Sequence, residues 1–359
     1  MKKLNLAIIG QGRSGKLIHG AYYVSERNQY YNVKYVVDKD EHRRNVAKEM
    51  YEGCETLSSY QELFDKKDID LVVNAATSEY HYSITKDLLE HKFNVLVEKP
   101  FARSRYECDV LIETAKKNGV LLSVFQQTFF APFYLESMAL AESGKLGKIE
   151  QVSIRYNGFA RRWDWQTLQK KVAGGIYNTG PHPIGIGMAF LGFDKNIRVE
   201  YCKLAVTEKC SGDSDDFAKI ILSAPGKPVV DIEISATDAY VDYNLKLHGH
   251  KGTFKCTPNA YKMKYLIDGE NPKKDLVEGS MANDLGNPCY CSEKLLSHEE
   301  EGKYNGTAFD IGTAGIYEDI YFAITEGRPL TITPEMVAQL IGIIEEVHAR
   351  NPLPLKFFE

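Results

Sequence analysis

The chain has 359 residues, enough for two hydrophobic cores, because a single core stops growing near ~250–300 residues. Its 44 Lys and Arg nearly balance its 49 Asp and Glu, so that the net charge is -5, and the sequence contains no basic block. This balance excludes the charge patterns of nucleic-acid and anionic-membrane binding, and no apolar stretch approaches the ~20 residues of a membrane span.

The first third of the chain alternates short apolar runs with amphipathic segments. The apolar runs predict buried strands, and the amphipathic segments predict helices, the clearest of them at 80–91 and 105–118. Strands that are apolar throughout and separated by helices are typical of a doubly wound parallel sheet, which is covered on both faces. The predicted strands are 4–9, 33–37, 71–74, 94–97 and 120–125.

The first predicted strand runs directly into a Gly-x-Gly-x-x-Gly motif. Its glycines, Gly10, Gly12 and Gly15, would allow a tight turn, the close approach of a pyrophosphate and the packing of helix on strand. Free N–H groups at the start of the following helix attract the phosphates. The motif predicts a dinucleotide site, with a glycine-rich turn that binds nothing as the alternative. The residues assigned to the site from this loop also include Gln11, Arg13 and Ser14.

Asp38 indicates which dinucleotide the site prefers. It closes the second predicted strand, where a carboxylate accepts the adenosine ribose hydroxyls and repels a 2′-phosphate. Lys39, Arg43 and Arg44 follow closely and would offset part of that repulsion. We therefore predict NAD as the cofactor, with NADP less favoured, and we count Asp38 and Lys39 among the residues that bind it.

After about residue 128 the sequence alternates polar and apolar residues instead. This period is typical of antiparallel strands with one covered face. The segment 270–304 is polar and irregular, and helices are predicted at 309–326 and 334–349. The alternating segments are 151–156, 229–234 and 243–248, with hairpin connections predicted at 225–227 and 249–252.

The two patterns predict an α/β protein of two domains. Residues 1–127 would form a Rossmann-type, doubly wound parallel sheet that binds NAD(P). Residues 128–359 would form an α+β domain with a large, open, mainly antiparallel sheet, responsible for substrate binding and oligomerisation. Because this second domain has few helices to cover its strands, we expect a homodimer or homotetramer that buries the segment 229–256.

Glu98, Lys99 and Pro100 follow the predicted strand 94–97, at the edge where open α/β sheets bind ligands. A lysine beside the positive charge of an oxidised nicotinamide has a lowered pKa and can accept or relay a hydroxyl proton. Glu98 and Pro100 would shape the loop. A solvated lysine followed by a proline turn is the alternative.

A second candidate group lies at 173–183, where glycines precede His182. Pro181 or Pro183 would start a helix with His182 in its first turn, where the helix dipole disfavours the imidazolium. A neutral imidazole is what a general base needs. A purely structural histidine at a helix start is the alternative.

Together these motifs resemble the Gfo/Idh/MocA oxidoreductase family, named for glucose–fructose oxidoreductase and inositol dehydrogenase. The resemblance covers nearly the whole chain and rests on the order and spacing of several modest motifs. The matching motifs are the glycine triplet, Thr77 to His81, Glu98-Lys99-Pro100, Phe125 to Pro132, and Gly174-Gly175 through His182.

The resemblance implies NAD(P)-dependent hydride transfer at a secondary alcohol of a sugar, inositol or related polyol. It carries over Lys99 and His182 as the catalytic pair, with Asn178 at the position where the family usually has Asp. An amide orients a hydroxyl but cannot ionise, so an acid-assisted proton relay is in doubt, and a turn or capping role for Asn178 is the alternative. The residues implied around the nicotinamide are Thr77, Ser78, His81, Glu98 and Gln127.

Other departures from the family pattern are Gln127 for Asn, Ser78 for Pro and Gly185 for a second Asp. Between the domains, Arg162 suits a cofactor phosphate or an acidic substrate group, and Trp163 suits the apolar side of a sugar ring. Trp163 also resembles a tryptophan that the family often has in this region. Interdomain packing is the alternative for both residues.

The predicted function is thus an NAD(P)-dependent dehydrogenase or reductase acting on CH–OH groups of a small-molecule sugar or cyclitol. One alternative is an enzyme that uses the cofactor transiently to cleave or epimerise glycosides through a keto intermediate. Another is a non-catalytic NAD-sensing protein, which loss of Lys99 or His182 would have supported.

The seven cysteines are odd in number and scattered, and Cys289-Tyr290-Cys291 is too isolated and too closely spaced to indicate zinc, so we expect no metal. The first apolar run starts close to Met1, which leaves no room for a signal peptide. We therefore expect a cytoplasmic protein with reduced thiols and no membrane or nucleic-acid partner.

Overall fold

The computed structural model describes residues 2–358 and contains two large sheets. The first is six-stranded and entirely parallel, in the order β3-β2-β1-β4-β5-β6. Four of its strands are buried at every or nearly every position, as expected where helices cover both faces. The predicted doubly wound parallel sheet is confirmed. Its strands are β1 (Leu4–Ile9), β2 (Tyr31–Val37), β3 (Glu55–Leu57), β4 (Leu71–Asn74), β5 (Val95–Val97) and β6 (Leu122–Val124).

Helices connect these strands, and the residues at their ends explain where one helix begins and where another ends. The side chain of Asp40 caps one helix by accepting from the N–H groups of His42 and Arg43. Gly119 ends another in the left-handed conformation, with φ +66°. The helices are α1 (Gly15–Gly20 continued by Ala21–Tyr23), α2 (Glu41–Met50), α3 (His81–Glu90) and α4 (Arg105–Asn118).

The second sheet has eight strands in the order β16-β13-β12-β11-β7-β10-β9-β8. Every neighbouring pair is antiparallel except β7 and β10, which run parallel. The expected large, mainly antiparallel sheet is confirmed. The parallel pair was not predicted, because polar–apolar alternation reports the covered face and not the direction of a neighbour. The strands are β7 (Ile149–Asn157), β8 (Arg198–Ala205), β9 (Phe217–Ser223), β10 (Val229–Ser235), β11 (Leu245–Gly249), β12 (Gly252–Cys256), β13 (Ala260–Tyr265) and β16 (His298–Lys303), with a small separate hairpin of β14 (Met281–Ala282) and β15 (Pro288–Cys289).

Helices cover one face of the second sheet. Gly187 lies so close to that face that a Cβ added to it would be 2.7 Å from Val230 and 3.2 Å from Ile232. These two strand residues are fully buried, whereas their neighbours Asp231 and Glu233 point to the opposite, uncovered face. The remaining helices are α5 (Pro132–Glu142), α6 (Gly175–Asn178), α7 (Pro181–Phe190), α8 (Thr313–Glu326) and α9 (Pro334–Arg350).

The helix α8 packs against the first sheet although it lies in the last sixth of the chain. Ile316, Tyr317 and Ile320 join a core cluster with Leu6 and Ile8 of β1. The domain boundary between residues 127 and 128 stays a prediction. The helix α8 belongs to the predicted second domain, but it completes the hydrophobic core of the first sheet.

The segment predicted to be polar and irregular is only partly so. Residues 270–297 are mostly exposed and hold the hairpin of β14 and β15, but 298–303 form β16, an edge strand of the large sheet. Sequence reasoning missed this strand because its residues do not alternate between polar and apolar. Among residues 2–358, no helix combines the length and the apolar character that crossing a bilayer requires.

Candidate active site

The three glycines after β1 differ in the space around them. A Cβ at Gly10, which has φ +91°, would lie 2.5 Å from the Ala75 carbonyl oxygen, and one at Gly15 would lie 1.8 Å from the Gly10 oxygen. At Gly12 the nearest atom would be a guanidinium nitrogen of Arg43 at 3.9 Å. Two glycines are therefore required for the turn and the packing of α1, and the third leaves an open surface. This is the shape that a pyrophosphate needs.

Asp38 lies beside this loop, at the end of β2, with its side chain 8% exposed. Its Oδ2 accepts from the Gln11 N–H at 2.7 Å, and its Oδ1 accepts from the Asp40 N–H at 2.9 Å. Each oxygen keeps a free lone pair, so the carboxylate is held in place and still able to accept a ribose hydroxyl. Lys39 is exposed, with Nζ 5.9 Å from the centre of the Tyr80 ring.

A cavity of about 330 Å³ opens beside Gly12 on the outer side of the loop. Arg13, Lys16, His42 and Arg43 line it, and none of the residues that line it is acidic. Ser14, also assigned to the cofactor, lies at the start of α1. The surroundings of the proposed ribose are therefore one carboxylate with an adjoining basic cavity.

His81 is buried at the start of α3 and connects two loops. Its Nδ1 lies 2.7 Å from the Pro100 carbonyl oxygen and its Nε2 lies 3.0 Å from the Ala76 carbonyl oxygen. Burial lowers its pKa, which these two carbonyl contacts only partly counter. Thr77 and Ser78 precede it in the short helical turn Ser78–Tyr80. The sequence placed His81 at the nicotinamide, and in the structure it supports the loop that carries Lys99.

Glu98 is a buried carboxylate at the end of β5. Its Oε1 lies 3.1 Å from Nε2 of His19, whose Nδ1 lies 2.8 Å from the hydroxyl of Tyr317. Burial by itself would raise the pKa of Glu98. The hydrogen bond and charge of His19 and the charge of Lys99 outweigh burial and lower the pKa to about 2. An ionised carboxylate only accepts, so His19 donates to it from Nε2, and its Nδ1 is hydrogen-bonded to the Tyr317 hydroxyl.

His19 and Tyr317 were missed in the sequence. His19 lies one turn after Gly15 on the face of α1 that packs inward, which is a usable signal. Tyr317 lies on α8, about 300 residues away in sequence, and no local pattern connects it to this site.

Lys99 connects the two halves of the molecule. Its Nζ donates to the backbone carbonyl of Asn178 at 2.8 Å. Burial lowers the pKa of Lys99, the Glu98 carboxylate opposes this, and the charges of Arg13 and Arg162 lower it further. The ammonium form is thus less stable than in an exposed lysine.

The side chain of Asn178 faces away from Lys99. Its Nδ2 donates to the Gln166 carbonyl at 3.0 Å, and its backbone N–H donates to the Gly174 carbonyl. The amide therefore fixes the 165–178 loop, as in the capping alternative, and the residue meets Lys99 through its backbone carbonyl.

His182 lies in the first turn of α7, as predicted, and of the two prolines that the sequence offered as the helix start, Pro181 is the one that begins it. Its Nδ1 lies 2.8 Å from Thr128 Oγ1, and its ring stacks on Tyr156 with centroids 6.4 Å apart. Burial and the nearby charge of Lys99 lower the pKa of His182 to about 3. The imidazole is neutral, and Nε2 is the nitrogen left for another molecule.

Three further residues were predicted at the site from the sequence. Gln127 is 3% exposed, and its Oε1 has no partner among the described residues. Arg162 pairs with Asp164 through two nitrogens, yet its charge acts on Lys99. Trp163 is 77% exposed, which does not fit interdomain packing and leaves its ring free for a ligand.

Comparisons with known proteins agree with this geometry. Residues 4–126 match the family model described as oxidoreductase family, NAD-binding Rossmann fold, and residues 134–255 match the GFO/IDH/MocA C-terminal domain. The oxidoreductase YhhX of Escherichia coli (strain K12) is 26% identical over 350 residues, 95% of each chain. The scyllo-inositol 2-dehydrogenase (NADP(+)) IolW of Bacillus subtilis (strain 168) is 22% identical over 354 residues, 95% of this chain and 92% of that one.

Among solved structures, the 3-ketoreductase KijD10 from Actinomadura kijaniata, in complex with NADP and TDP-benzene, has the same fold. Its TM-score is 0.78 at 15% identity, and the match covers 98% of both chains. The two family models cover the whole first sheet and the strands β7 to β11 of the second, together with the glycine loop, Lys99 and His182. The chain belongs to the Gfo/Idh/MocA family of oxidoreductases, with an NAD(P)-binding Rossmann fold.

Proposed function

We propose that this protein is an NAD(P)-dependent dehydrogenase or reductase that acts on a secondary alcohol or ketone of a sugar, inositol or related polyol. The observation that carries the proposal is the convergence of Lys99, which follows β5, and His182, at the start of α7, close enough for the charge of Lys99 to lower the pKa of His182. IolW, named for scyllo-inositol, supports the substrate class. When bound, the nicotinamide supplies or accepts the hydride.

Lys99 is the better candidate for the group that exchanges the hydroxyl proton. A general base works best when its pKa lies near the working pH. The pKa of His182 is about 3, so its imidazole is a weak base, whereas Lys99 is an intrinsically stronger base whose pKa burial lowers from its ordinary value. In this proposal Lys99 holds or releases the proton, and neutral His182 orients the hydroxyl through Nε2.

The remaining site residues bind and position. The open surface at Gly12 and the N–H groups at the start of α1 hold the pyrophosphate. Asp38 accepts the ribose hydroxyls. Glu98, fixed by His19, and the unpartnered amide of Gln127 bind the nicotinamide end.

NAD is the proposed cofactor, on the strength of the Asp38 carboxylate. NADP is the second candidate, because the basic cavity lined by Arg13, Lys16, His42 and Arg43 suits a 2′-phosphate and IolW is named for NADP(+).

Activity with a panel of polyols tests the proposal. Inositols, aldoses and their keto and acid derivatives are incubated with NAD or NADP, and the absorbance of the reduced cofactor is followed. We expect turnover with at least one neutral polyol or its ketone. A different outcome is that the cofactor stays bound through purification and that no net reduction of it is observed. That outcome would indicate an enzyme that forms a transient keto intermediate.

A further inference from the structure

A second cavity, of about 260 Å³, lies next to the catalytic pair in the second domain. Asn178 and Tyr156 line it, the one bound to Lys99 through its carbonyl and the other stacked on His182. The cavity is therefore one residue away from each catalytic group, and residues of the second domain line it. A polyol whose reacting carbon lies at Lys99 and His182 would extend into it.

Two polar atoms of adjacent residues at this cavity have no partner among the described residues. They are Ser214 Oγ and Asp215 Oδ1, in side chains that are 1% and 2% exposed. A buried polar atom without a hydrogen bond loses its hydration and gains nothing in return. Native structures keep few such atoms, and a ligand that supplies the missing bond is one reason to keep them.

The Asp215 carboxyl cannot easily turn towards a protein partner. Its Oδ2 accepts from the Ile176 N–H at 2.8 Å, and its backbone carbonyl accepts from the Gly175 N–H at 2.6 Å. These bonds hold the residue against the loop that ends at Asn178. Oδ1 is thereby fixed with its lone pairs unused.

The two cationic side chains that line the cavity each contact another side chain. Arg162 is paired with Asp164, and the Lys209 ammonium lies over the Phe159 ring at 3.8 Å. Asp216 accepts from Thr207. Within residues 2–358, the unpartnered buried polar atoms here are a hydroxyl, a carboxyl oxygen and the amide oxygen of Asn157, all of which can accept from neutral hydroxyl groups.

We propose that Ser214 and Asp215 form a hydroxyl-binding subsite, which recognises the end of a neutral polyol remote from its reacting carbon. This inference rests on the proposed function and narrows it to substrates with a free hydroxyl at that end. Burial also raises the pKa of Asp215 to about 7, so that part of the carboxyl population can donate as well as accept. Neither residue was singled out in the sequence, where Ser-Asp-Asp between two strands carries no motif.

Ser214→Ala tests the subsite cleanly, because the hydroxyl has no partner to lose in the free protein. We expect an unchanged or higher Tm without ligand. The matched control is Ser153→Ala, equally buried at 2% exposure but accepting from Gln151 Nε2 at 2.8 Å, away from the cavity. The control should lower the Tm and leave polyol binding unchanged.

Ligand binding is measured as the rise in Tm that scyllo-inositol, myo-inositol or glucose produces with saturating cofactor. At least one polyol should stabilise the unmodified protein, and Ser214→Ala should weaken its affinity by about threefold to tenfold, the effect of one neutral hydrogen bond. The stabilisation by cofactor alone should be the same in both proteins. Equal polyol affinity in Ser214→Ala, or no stabilisation of the unmodified protein by any of the three, overturns the subsite.

The two proposals fail separately. If a polyol is turned over with the same KM in Ser214→Ala, the function stands and the subsite is wrong. If Ser214→Ala weakens polyol binding but no polyol reduces the cofactor and no keto derivative oxidises it, the subsite stands and the function is wrong. A crystal soaked in the stabilising polyol should place a ligand hydroxyl within ~3.2 Å of both atoms, and a water alone at Ser214 Oγ would count against the subsite.

Discussion

Lys99 and His182 show how burial prepares side chains for proton transfer. Both are removed from water, and their pKa values are lowered, for His182 partly by the charge of Lys99 itself. Glu98 shows the opposite outcome, since the His19 contact keeps a buried carboxylate ionised. Three titratable groups in one corner are therefore held in different states by their neighbours.

Removal of either basic side chain should slow the chemical step. We expect Lys99→Ala and His182→Ala each to lower kcat by ~10²-fold or more, the range for general acid–base groups. Cofactor affinity should fall much less, because the glycine loop and Asp38 lie elsewhere. Asn178→Ala should be milder, since its amide contacts Gln166. Kinetics on a substrate from the polyol panel measure all three, and a near-normal kcat in Lys99→Ala with weaker cofactor binding would make Lys99 a positioning residue.

The pH dependence should report the lowered pKa of Lys99. Alcohol oxidation needs the neutral amine, so kcat/KM should rise with pH and level off below the ordinary lysine pKa of ~10.4. Carbonyl reduction needs the ammonium and should fall through the same pKa. The profiles are measured in both directions, and the rise should be missing in Lys99→Ala. A rise that Lys99→Ala retains would assign it to another group.

Asp38 should control the choice of cofactor. NAD should bind more tightly than NADP, and Asp38→Ala should shrink that preference by removing the repulsion of a 2′-phosphate. Arg43→Ala is the matched variant, because it lines the basic cavity and should weaken NADP more than NAD. Titration by intrinsic fluorescence gives the six affinities, for two cofactors and three proteins. Equal affinities, or tighter NADP binding, in the unmodified protein would reject the assignment.

At the scale of helices and strands, close packing decides which glycines are replaceable. A Cβ at Gly15 would lie 1.8 Å from the Gly10 oxygen, so α1 would have to move away from β1. We expect Gly15→Ala to lower the Tm and to abolish cofactor binding. Gly342→Ala, within α9 and with no atom within 4 Å of an added Cβ, should instead raise the free energy of unfolding by up to about 1 kcal/mol. Thermal unfolding compares them, and a stable, cofactor-binding Gly15→Ala protein would contradict the packing argument.

The sequence predicted best what depends on local pattern. The ranges 4–9, 71–74 and 105–118 coincide with β1, β4 and α4. In each of these segments the apolar residues keep one regular spacing, and the spacing changes where the segment ends. Sequence reasoning gave no bounds for α2, because that helix is mostly charged and has only one buried residue. It also missed β3, which is only three residues long.

The candidate site was predicted only where motifs carry it. Lys99 and His182 follow a strand end and a proline helix start, and the structure brings both to one cleft. Thr128, His19, Tyr317 and Asp215 act through contacts between distant segments. Such contacts become visible only when the chain is folded.

At the scale of the whole molecule, the uncovered face of the second sheet is the expected contact between copies. Its centre is polar and already partly buried, with Arg155 and Lys219 both paired to Asp231 at 2.6 Å, and half-buried Ile221 stands beside them. A symmetric contact would place this face against itself. The homodimer or homotetramer expected from the sequence remains a proposal on this surface.

Ile221→Arg should weaken that contact, because a symmetric interface would bring the new cation close to its copy. We expect the unmodified protein to be a dimer or tetramer at micromolar concentration and the variant to shift towards monomer, as measured by light scattering. Leu135→Arg, at a 50% exposed position on α5, is the control and should leave the mass unchanged. A monomeric unmodified protein would rule out the assembly.

The position of α8 has a consequence for how the protein is made. The apolar face of β1 that carries Leu6 and Ile8 receives its cover from Ile316 and Tyr317, at the opposite end of the chain. Ribosomes add about 5–20 residues per second, so a nascent chain holds this unfinished surface for roughly ten seconds or more after β1 has emerged. During that interval the surface is open to chaperones and to neighbouring nascent chains. The cofactor loop, although encoded first, follows a strand whose core is complete only when α8 has been synthesised.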